Sequence, residues 1–328
     1  MHLQEIRDAI RQYPGLTRKR DIHLLTNVLQ PVTDFGDTVA DFGEDAAAIM
    51  HNGEYLLLAA DGIWSGLIEA NPYGAGKAAV MASVNDIFAM GGRPSAMVNV
   101  IGVPERQHYD QIIQGIRKGC EKFRVPMVGG HLHPDTGELS LSVSIMGVAK
   151  KLLRSTNAAA GQDIVFAVDM QGRGYQCKPV LSWDTNSGKT SQQVLARLEV
   201  LPELAESELC KTAKDVSNAG LLGTIALLLE TSEKGAVINL DAVPCPDAFT
   251  LIDWLKAFLS YGFIMSVDQD KTHRVLELFR NQAITAVVIG QITDDREMLL
   301  SYQGSTDILF DLNKEDITGI ARDPLACM

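Results

Sequence analysis

The feature that most constrains this chain is the tetrapeptide His51-Asn52-Gly53-Glu54, which stands between two apolar runs, Ala46–Met50 and Tyr55–Ala60. Asn-Gly accepts the left-handed backbone angles of a two-residue hairpin turn, so the runs read as antiparallel strands. Pairing 51 with 54 and 50 with 55 carries the register down to 45 with 60 and 44 with 61. Glu44, Asp45 and Asp61 are thereby expected at the open end of the hairpin. Three acids at one end of two otherwise apolar strands repel one another unless a cation sits between them. The competing reading is that polar residues simply collect at strand ends. Gly43 and Gly62 flank the acids and let another group approach the backbone.

Residues 75–90 form an apolar helix, introduced by Asn71-Pro72 and ended by Gly91-Gly92 with Pro94 beyond. Ala75, Ala79, Ala82, Asp86 and Ala89 fall on one face of it. An ionised Asp86 among small apolar side chains is costly unless exposed, paired or metal-bound. Asn85 adds an amide acceptor on a neighbouring line. A short strand, 125–128, is read as ending in Gly129-Gly130, whose free N–H groups suit phosphate oxygens. His131 and His133 offer an HxH metal pair instead, without a third imidazole or thiolate for zinc. In the second half, Lys214-Asp215-Val216-Ser217-Asn218 sets Asp215 and Ser217 in a turn before a helix, where capping and ligand binding both fit.

Short helices at 3–12 and 18–29 flank Pro14-Gly15, and helix 75–90 is followed by strand 96–103, helix 107–123 and strand 139–149. Lys150 to Gln162 is basic, then Ala- and Ser-rich, and divides the chain into domains 1–152 and 153–328. The second half runs strand 163–169, a polar loop 170–190, two helices, helix 219–231, strand 235–240, helix 247–259, strand 262–267, helix 270–281 and strand 283–290. Alternating strands and helices imply layered α/β or α+β domains. With 328 residues, both can bury a core.

The net charge of −12 opposes binding to a polyanion, and only Arg18-Lys19-Arg20 gathers bases, so no nucleic acid partner is expected. Five scattered cysteines (Cys120, Cys177, Cys210, Cys245, Cys327) without CxxC spacing argue against a disulfide framework or structural zinc. No basic-then-apolar leader and no apolar run near the ~20 residues of a membrane span is visible, so a soluble cytoplasmic protein is expected.

Gly43-Glu44-Asp45-Ala46-Ala47, Ala60-Asp61-Gly62, the run Asn85-Asp86-Ile87-Phe88-Ala89-Met90-Gly91-Gly92, Gly129-Gly130-His131 and Asp215-Val216-Ser217 follow in that order. In this order the blocks resemble the aminoimidazole ribonucleotide synthetase (PurM-like) superfamily. The resemblance runs from about residue 40 to Ile289-Gly290-Gln291-Ile292. It implies a homodimer whose N-terminal sheets join into a shared barrel, with ATP at that interface and a ferredoxin-like α/β C-terminal domain. It implies Mg2+ held by Asp45, Asp61 and Asp86, with Asp215 added from the second-domain turn. It implies nucleotide contacts from Arg154 and Ser217, and a further place in the nucleotide site for Glu44, Asn85, Gly129, Gly130 and His131. Where the superfamily's thiamine-monophosphate kinases carry a substrate-contacting His, this chain has Ile68, and their second turn acid is Asn218 here. Their acidic Glu-Asp-Tyr-Glu-Leu block is replaced by Ser260-Tyr261-Gly262-Phe263-Ile264-Met265. The glycine-rich Cys/Lys loop of selenophosphate synthetases is absent as well.

The expected function is ATP- and Mg2+-dependent γ-phosphoryl transfer to a small molecule. The alternatives are a nucleotide-binding subunit without turnover and a divergent thiamine-monophosphate kinase. Arg173, Lys178, Asp184 and Lys189, in the polar loop, are the candidate substrate contacts.

Overall fold

A computed structural model describes residues 2–33, 35–104, 106–134, 136–177 and 180–320. Lys178 and Cys327 lie outside the described residues. The first half holds α1 (Leu3–Arg11), α2 (Pro14–Thr17), α3 (Ile22–Leu29), β1 (Thr38–Ala40), β2 (Ala47–His51), β3 (Glu54–Gly62), α4 (Ser65–Ala70) and α5 (Pro72–Ala89). It continues through β4 (Arg93–Gly102), α6 (Arg106–Phe123), β5 (Met127–His133) and β6 (Ser140–Ala149). The second half begins β7 (Asp163–Val168), β8 (Arg173–Cys177), β9 (Val180–Asp184), α7 (Ser191–Leu198), α8 (Val200–Glu206), β10 (Thr212–Asp215), α9 (Gly220–Ser232) and β11 (Gly235–Asn239). It closes with α10 (Leu251–Lys256), β12 (Phe258–Leu259), β13 (Gly262–Val267), α11 (Gln269–Asn281), β14 (Thr285–Thr293), β15 (Glu297–Tyr302) and β16 (Ser305–Asp311).

The hairpin forms in the expected register, from His51 opposite Glu54 to Ala47 opposite Leu58. Asn52 and Gly53 take φ of 50° and 84°, as a type I′ turn requires. The ladder stops there, so 45 does not pair with 60. Beyond that point β3 is held by β6 instead, with Asp61 opposite Val143. The first sheet has the order β1-β2-β3-β6-β4-β5.

Asn71 caps α5 by accepting from the Gly74 N–H at 2.9 Å. Small residues let α5 press against α6, and a Cβ on Gly76 would stand 2.3 Å from the Ile112 carbonyl oxygen. This close approach brings the far end of α5, with Asp86, down onto the inner face of the sheet. A continuous apolar core runs from Leu57, Ile87 and Ile145 across to Val165, Ala167 and Phe263 in the second sheet. That sheet has the order β10-β13-β7-β14-β11-β15-β16. Its other face buries Leu3, Ile6 and Ile10 of α1 together with Ile225 and Leu229 of α9.

Several expectations are corrected. The expected loop 170–190 contains a β8–β9 hairpin, with Arg173 opposite Asp184 and Tyr175 opposite Ser182, joined to β12 in a three-stranded sheet. The short strand 125–128 extends to His133, because the glycines pair in parallel with β4. The helix expected at 247–259 shrinks to α10, since the Thr250 hydroxyl caps it by accepting from Asp253 N at 3.2 Å. Pro14-Gly15 does separate the first helix from the next, but it also starts a short helix of its own, α2, its missing N–H costing nothing at that position. Beyond 290 the chain adds β15 and β16 around Gln303-Gly304, at φ of 49° and 77°.

Gly76→Ala is expected to lower the unfolding temperature by several degrees, from about 1–3 kcal/mol of overpacking against backbone. Gly137→Ala, where an added Cβ meets nothing within 4 Å, serves as the control in the same thermal melts.

Candidate functional site

Four aspartates reach one cleft from separate elements. Asp45 ends the loop before β2, Asp61 lies near the end of β3, Asp86 near the end of α5, and Asp215 closes β10. Asp61 shares its strand face with Leu57 and Ala59, both buried, which turns it toward α5. The Asp215 N–H donates to Asp45 Oδ2 at 3.1 Å, joining the two halves of the chain. Asp215 was expected in a turn and instead ends a strand, so its backbone is fixed by pairing with Phe263.

The carboxylates crowd one another. Burial, then Asp61, Asp215 and Asp45, push the Asp86 carboxyl well above the ordinary carboxylate range, with Lys214 opposing. Burial, then Asp45 and Asp61, do the same to Asp215. Asp61 is also raised, by burial first, with Lys19 lowering it and Asp45 raising it.

The sequence reading missed two cations. Lys214 Nζ pairs with Asp45 Oδ1 at 2.5 Å and donates to the Gly43 carbonyl at 3.0 Å and Ser155 Oγ at 3.3 Å. Burial works to neutralise this ammonium, but Asp45 and Glu44 outweigh it and raise its pKa. Lys19 enters from the turn before α3, where burial and the nearby Lys214 and Arg18 lower its pKa. A signal for Lys214 was present: a lysine inside the otherwise buried strand Thr212–Asp215 demands an anion.

Glu44 lines the same cleft as Asp45 and Asp215, but its oxygens are engaged by a turn of the chain. It accepts from Ser155 N at 2.8 Å, Ser155 Oγ at 2.7 Å and Arg154 Nε at 3.4 Å. It thereby brackets the turn that carries Arg154. Asn85 donates to the Ser260 carbonyl at 3.2 Å, while its Oδ1 is buried without a protein partner. Ser217 lines the same cleft as Asp45, Lys214 and Asp215.

Gly129, Gly130 and His131 are not brought to the acids. They lie inside β5, not at a turn after it, and a Cβ on Gly130 would stand 2.4 Å from the Asn99 carbonyl oxygen. Asp61, Val143, Asn99 and Gly130 pair in one row across four strands. At the usual strand spacing that separates Gly130 from Asp61 by about 14 Å. His131 stacks edge-on against His133 at 4.5 Å. Among the described residues, no group of three or more His, Cys, Asp or Glu is arranged to hold a metal ion.

The loop candidates have local roles. Asp184 accepts from Asn186 N at 2.9 Å and Ser187 N at 3.0 Å. Lys189 donates to the Gln171 and Thr185 carbonyls at 2.6 and 2.7 Å and pairs with Asp169 at 3.0 Å. Arg173 is exposed.

Comparison with known proteins places this arrangement. The N-terminal domain profile of AIR synthase related protein matches residues 43–149, and the C-terminal domain profile matches residues 166–302. The chain belongs to this family, within the PurM-like superfamily. An uncharacterized protein of Methanocaldococcus jannaschii is 37% identical over 328 residues, covering 97% of this chain and 100% of its own. A thiamine-monophosphate kinase of Synechococcus elongatus is 27% identical over 293 residues, covering 81% of this chain and 88% of the kinase. The structure of T. maritima PurL complexed with ATP superposes with a TM-score of 0.73 at 19% identity, over 91% of this chain. This chain spans about half of that protein, 50% by length. The two-domain mixed α/β fold is therefore that of the superfamily.

Because Asp86 holds its proton more tightly when folded than when unfolded, stability falls as pH rises from about 4 through its folded pKa. Asp86→Asn is expected to stabilise the ligand-free protein at pH 7–8, with the advantage shrinking toward pH 4. Urea unfolding at several pH values reads this, and an Asn variant less stable than wild type at pH 8 contradicts it.

Proposed function

We propose that the protein is an ATP- and Mg2+-dependent phosphotransferase or synthetase that passes the γ-phosphoryl group of ATP to an oxygen of a small-molecule metabolite. The observation that carries this reading is the convergence of Asp45, Asp61, Asp86 and Asp215, from both halves of the chain, in a cleft where burial and the neighbouring carboxylates raise the proton affinity of Asp61, Asp86 and Asp215. Like charges are gathered against their repulsion where a cation is to be held. The likeness to an ATP-bound PurL structure and to a thiamine-monophosphate kinase supports the nucleotide.

The donor chemistry suits Mg2+: hard carboxylate oxygens, with the unpartnered Asn85 Oδ1 beside Asp86 in sequence. Asp61, Asp86 and Asp215 would hold it together with phosphate oxygens of the nucleotide, since among the described residues no three acids form a ready metal site by themselves and Asp45 is engaged by Lys214. Bound there, Mg2+ supplies charge neutralisation for the phosphate oxygens. Lys214 holds Asp45 in place, and Glu44 holds the turn bearing Arg154, whose guanidinium nitrogens beyond the Nε–Glu44 contact would reach a phosphate. The acceptor oxygen bonds to phosphorus as the bond to the bridging oxygen breaks, ADP leaves, and the acceptor's proton passes to a cluster carboxylate. Positioning and charge stabilisation supply most of the rate.

A nucleotide-binding subunit without turnover is favoured by one observation, the Lys214–Asp45 pair at 2.5 Å, which occupies an acid that would otherwise serve a metal. Against a divergent thiamine-monophosphate kinase, Ile68 is fully buried, and the Tyr261 hydroxyl donates to the Arg197 carbonyl at 2.9 Å within the core. Neither position faces a substrate.

Calorimetry is expected to show ATP binding that requires Mg2+, weakened about tenfold or more in Asp61→Asn and Asp86→Asn, the size of a lost charge-assisted contact. Unchanged affinity in EDTA removes the reading. Steady ATP hydrolysis separates the enzyme from the silent subunit.

The homodimer belongs to the same proposal. The face of the first sheet turned away from α5 exposes Leu58, Met146, Val98 and Val100, 41–53% accessible, as one apolar strip. Such a strip on a sheet supports burial against a second copy. Light scattering is expected to give a dimer at micromolar concentration and a monomer for Leu58→Asp with Met146→Asp; a wild-type monomer that still binds ATP contradicts the shared site.

A further inference from the structure

Beside the acid cluster lies a hollow of about 180 Å³. Glu44, Asp45 and Asp215 line it together with the apolar Ile22 and Leu227. Three further polar groups line it without a close partner among the described residues. Thr26 on α3 is 2% exposed and Thr224 on α9 is 1% exposed, and neither hydroxyl has a hydrogen-bond partner among the described residues. A threonine inside a helix usually returns its hydroxyl to the carbonyl one turn back. Thr231 and Ser232, on the same helix as Thr224, do so at 2.8 Å, to Leu227 and Leu228. Thr224 does not. An unpartnered buried hydroxyl is costly, and a fold tolerates one where a ligand or water completes the bond.

Lys19 is the third group. It lines the hollow, and among the described residues its ammonium has no ion pair or hydrogen bond within the usual distances, only the longer-range attraction of Asp215 and Asp45. Lys214, also at the wall, is already committed to Asp45, Gly43 and Ser155. Lys19 is therefore the cation of the hollow left without a close partner, attracted at longer range by Asp215 and Asp45, and it lines the same space as the two unpartnered hydroxyls.

We propose that this hollow is the acceptor site of the transfer reaction and takes a small hydroxy acid, whose carboxylate pairs with Lys19 and whose hydroxyl oxygens bond to Thr26 and Thr224. The proposal rests on the phosphotransferase reading for the word acceptor, but not for the binding itself. At about 30 Å³ per water, the space admits some six water volumes, which matches a compound of roughly six to ten non-hydrogen atoms. The apolar walls cover its carbon skeleton, and a remaining hydroxyl faces the aspartates, where phosphoryl transfer would occur. This moves substrate recognition away from the β8–β9 hairpin, whose Asp184 and Lys189 are spent on their own turn.

The test uses the full chain with lactate, glycerate and malate as probes, and glycerol and ethanolamine as neutral and cationic controls, followed by ligand-observed NMR without nucleotide. At least one acid is expected to bind while both controls do not. Lys19→Met and Thr224→Val are each expected to weaken that acid about tenfold or more, the loss of one hydrogen bond to a charged ligand. Thr224→Val is also expected to leave the melting temperature of the free protein unchanged or higher, since it removes a hydroxyl the fold does not use. Binding of no acid, equal binding of glycerol or ethanolamine, or an affinity unchanged in Lys19→Met overturns the proposal. So does a Thr224→Val protein that melts several degrees lower, because its hydroxyl would then be structural. If an acid binds but Mg·ATP does not, the site stands and the phosphotransferase reading falls.

Discussion

Four carboxylates crowded into one cleft, and the lysine that holds one of them, set the terms for the rest of this structure. Lys214 reaches from β10 to Asp45, to the Gly43 carbonyl and to Ser155, so one buried ammonium ties the hairpin loop to the second sheet. The Asp215 N–H adds a second tie to the same carboxylate. Asp45 and Lys214 are buried together because each supplies the other's opposite charge. The contact between the two halves of the chain thus includes the site, and one apolar core runs between the two sheets.

The surrounding architecture serves that placement. Helix α5 carries Asp86 into the cleft because its alanines and glycines let it lie close to both α6 and the sheet. A larger residue at Gly76 would lift the helix and with it the carboxylate. Glu44, next to Asp45 in sequence, is recruited for a structural bracket and not for the cluster. Adjacent acids therefore have different duties, set by which backbone groups each one meets.

The cleft also holds groups that a fold optimised for stability would not keep. Asp86 and Asp215 are raised by burial and mutual repulsion, and Thr26, Thr224 and Asn85 Oδ1 lack protein partners. Thr185, Thr212 and Trp254 also bury polar atoms without a partner, so what sets the cleft apart is that such groups lie near carboxylates raised by burial and mutual repulsion, as in a site that a ligand completes. The bare β-sheet face carrying Leu58 and Met146 is incomplete in the same sense, but toward apolar rather than polar partners.

The sequence by itself determined the hairpin and its register, since Asn52-Gly53 permits few other turns, and it determined helix α5 with Asp86 on a face of small residues. It also singled out all four aspartates, because acids inside apolar runs are conspicuous in one dimension. Tertiary structure decided the rest. Whether Gly129-Gly130 formed a turn or a strand depended on β4 lying beside it to supply a ladder. Whether 171–184 was a loop or a hairpin depended on β12 arriving from more than seventy residues downstream to pair with β9. Lys214 and Lys19 acquired their meaning only when sheet and helix packing carried them to carboxylates distant along the chain. Local backbone preference is written into neighbouring residues, whereas the partner of a buried charge is chosen by the packing of whole elements.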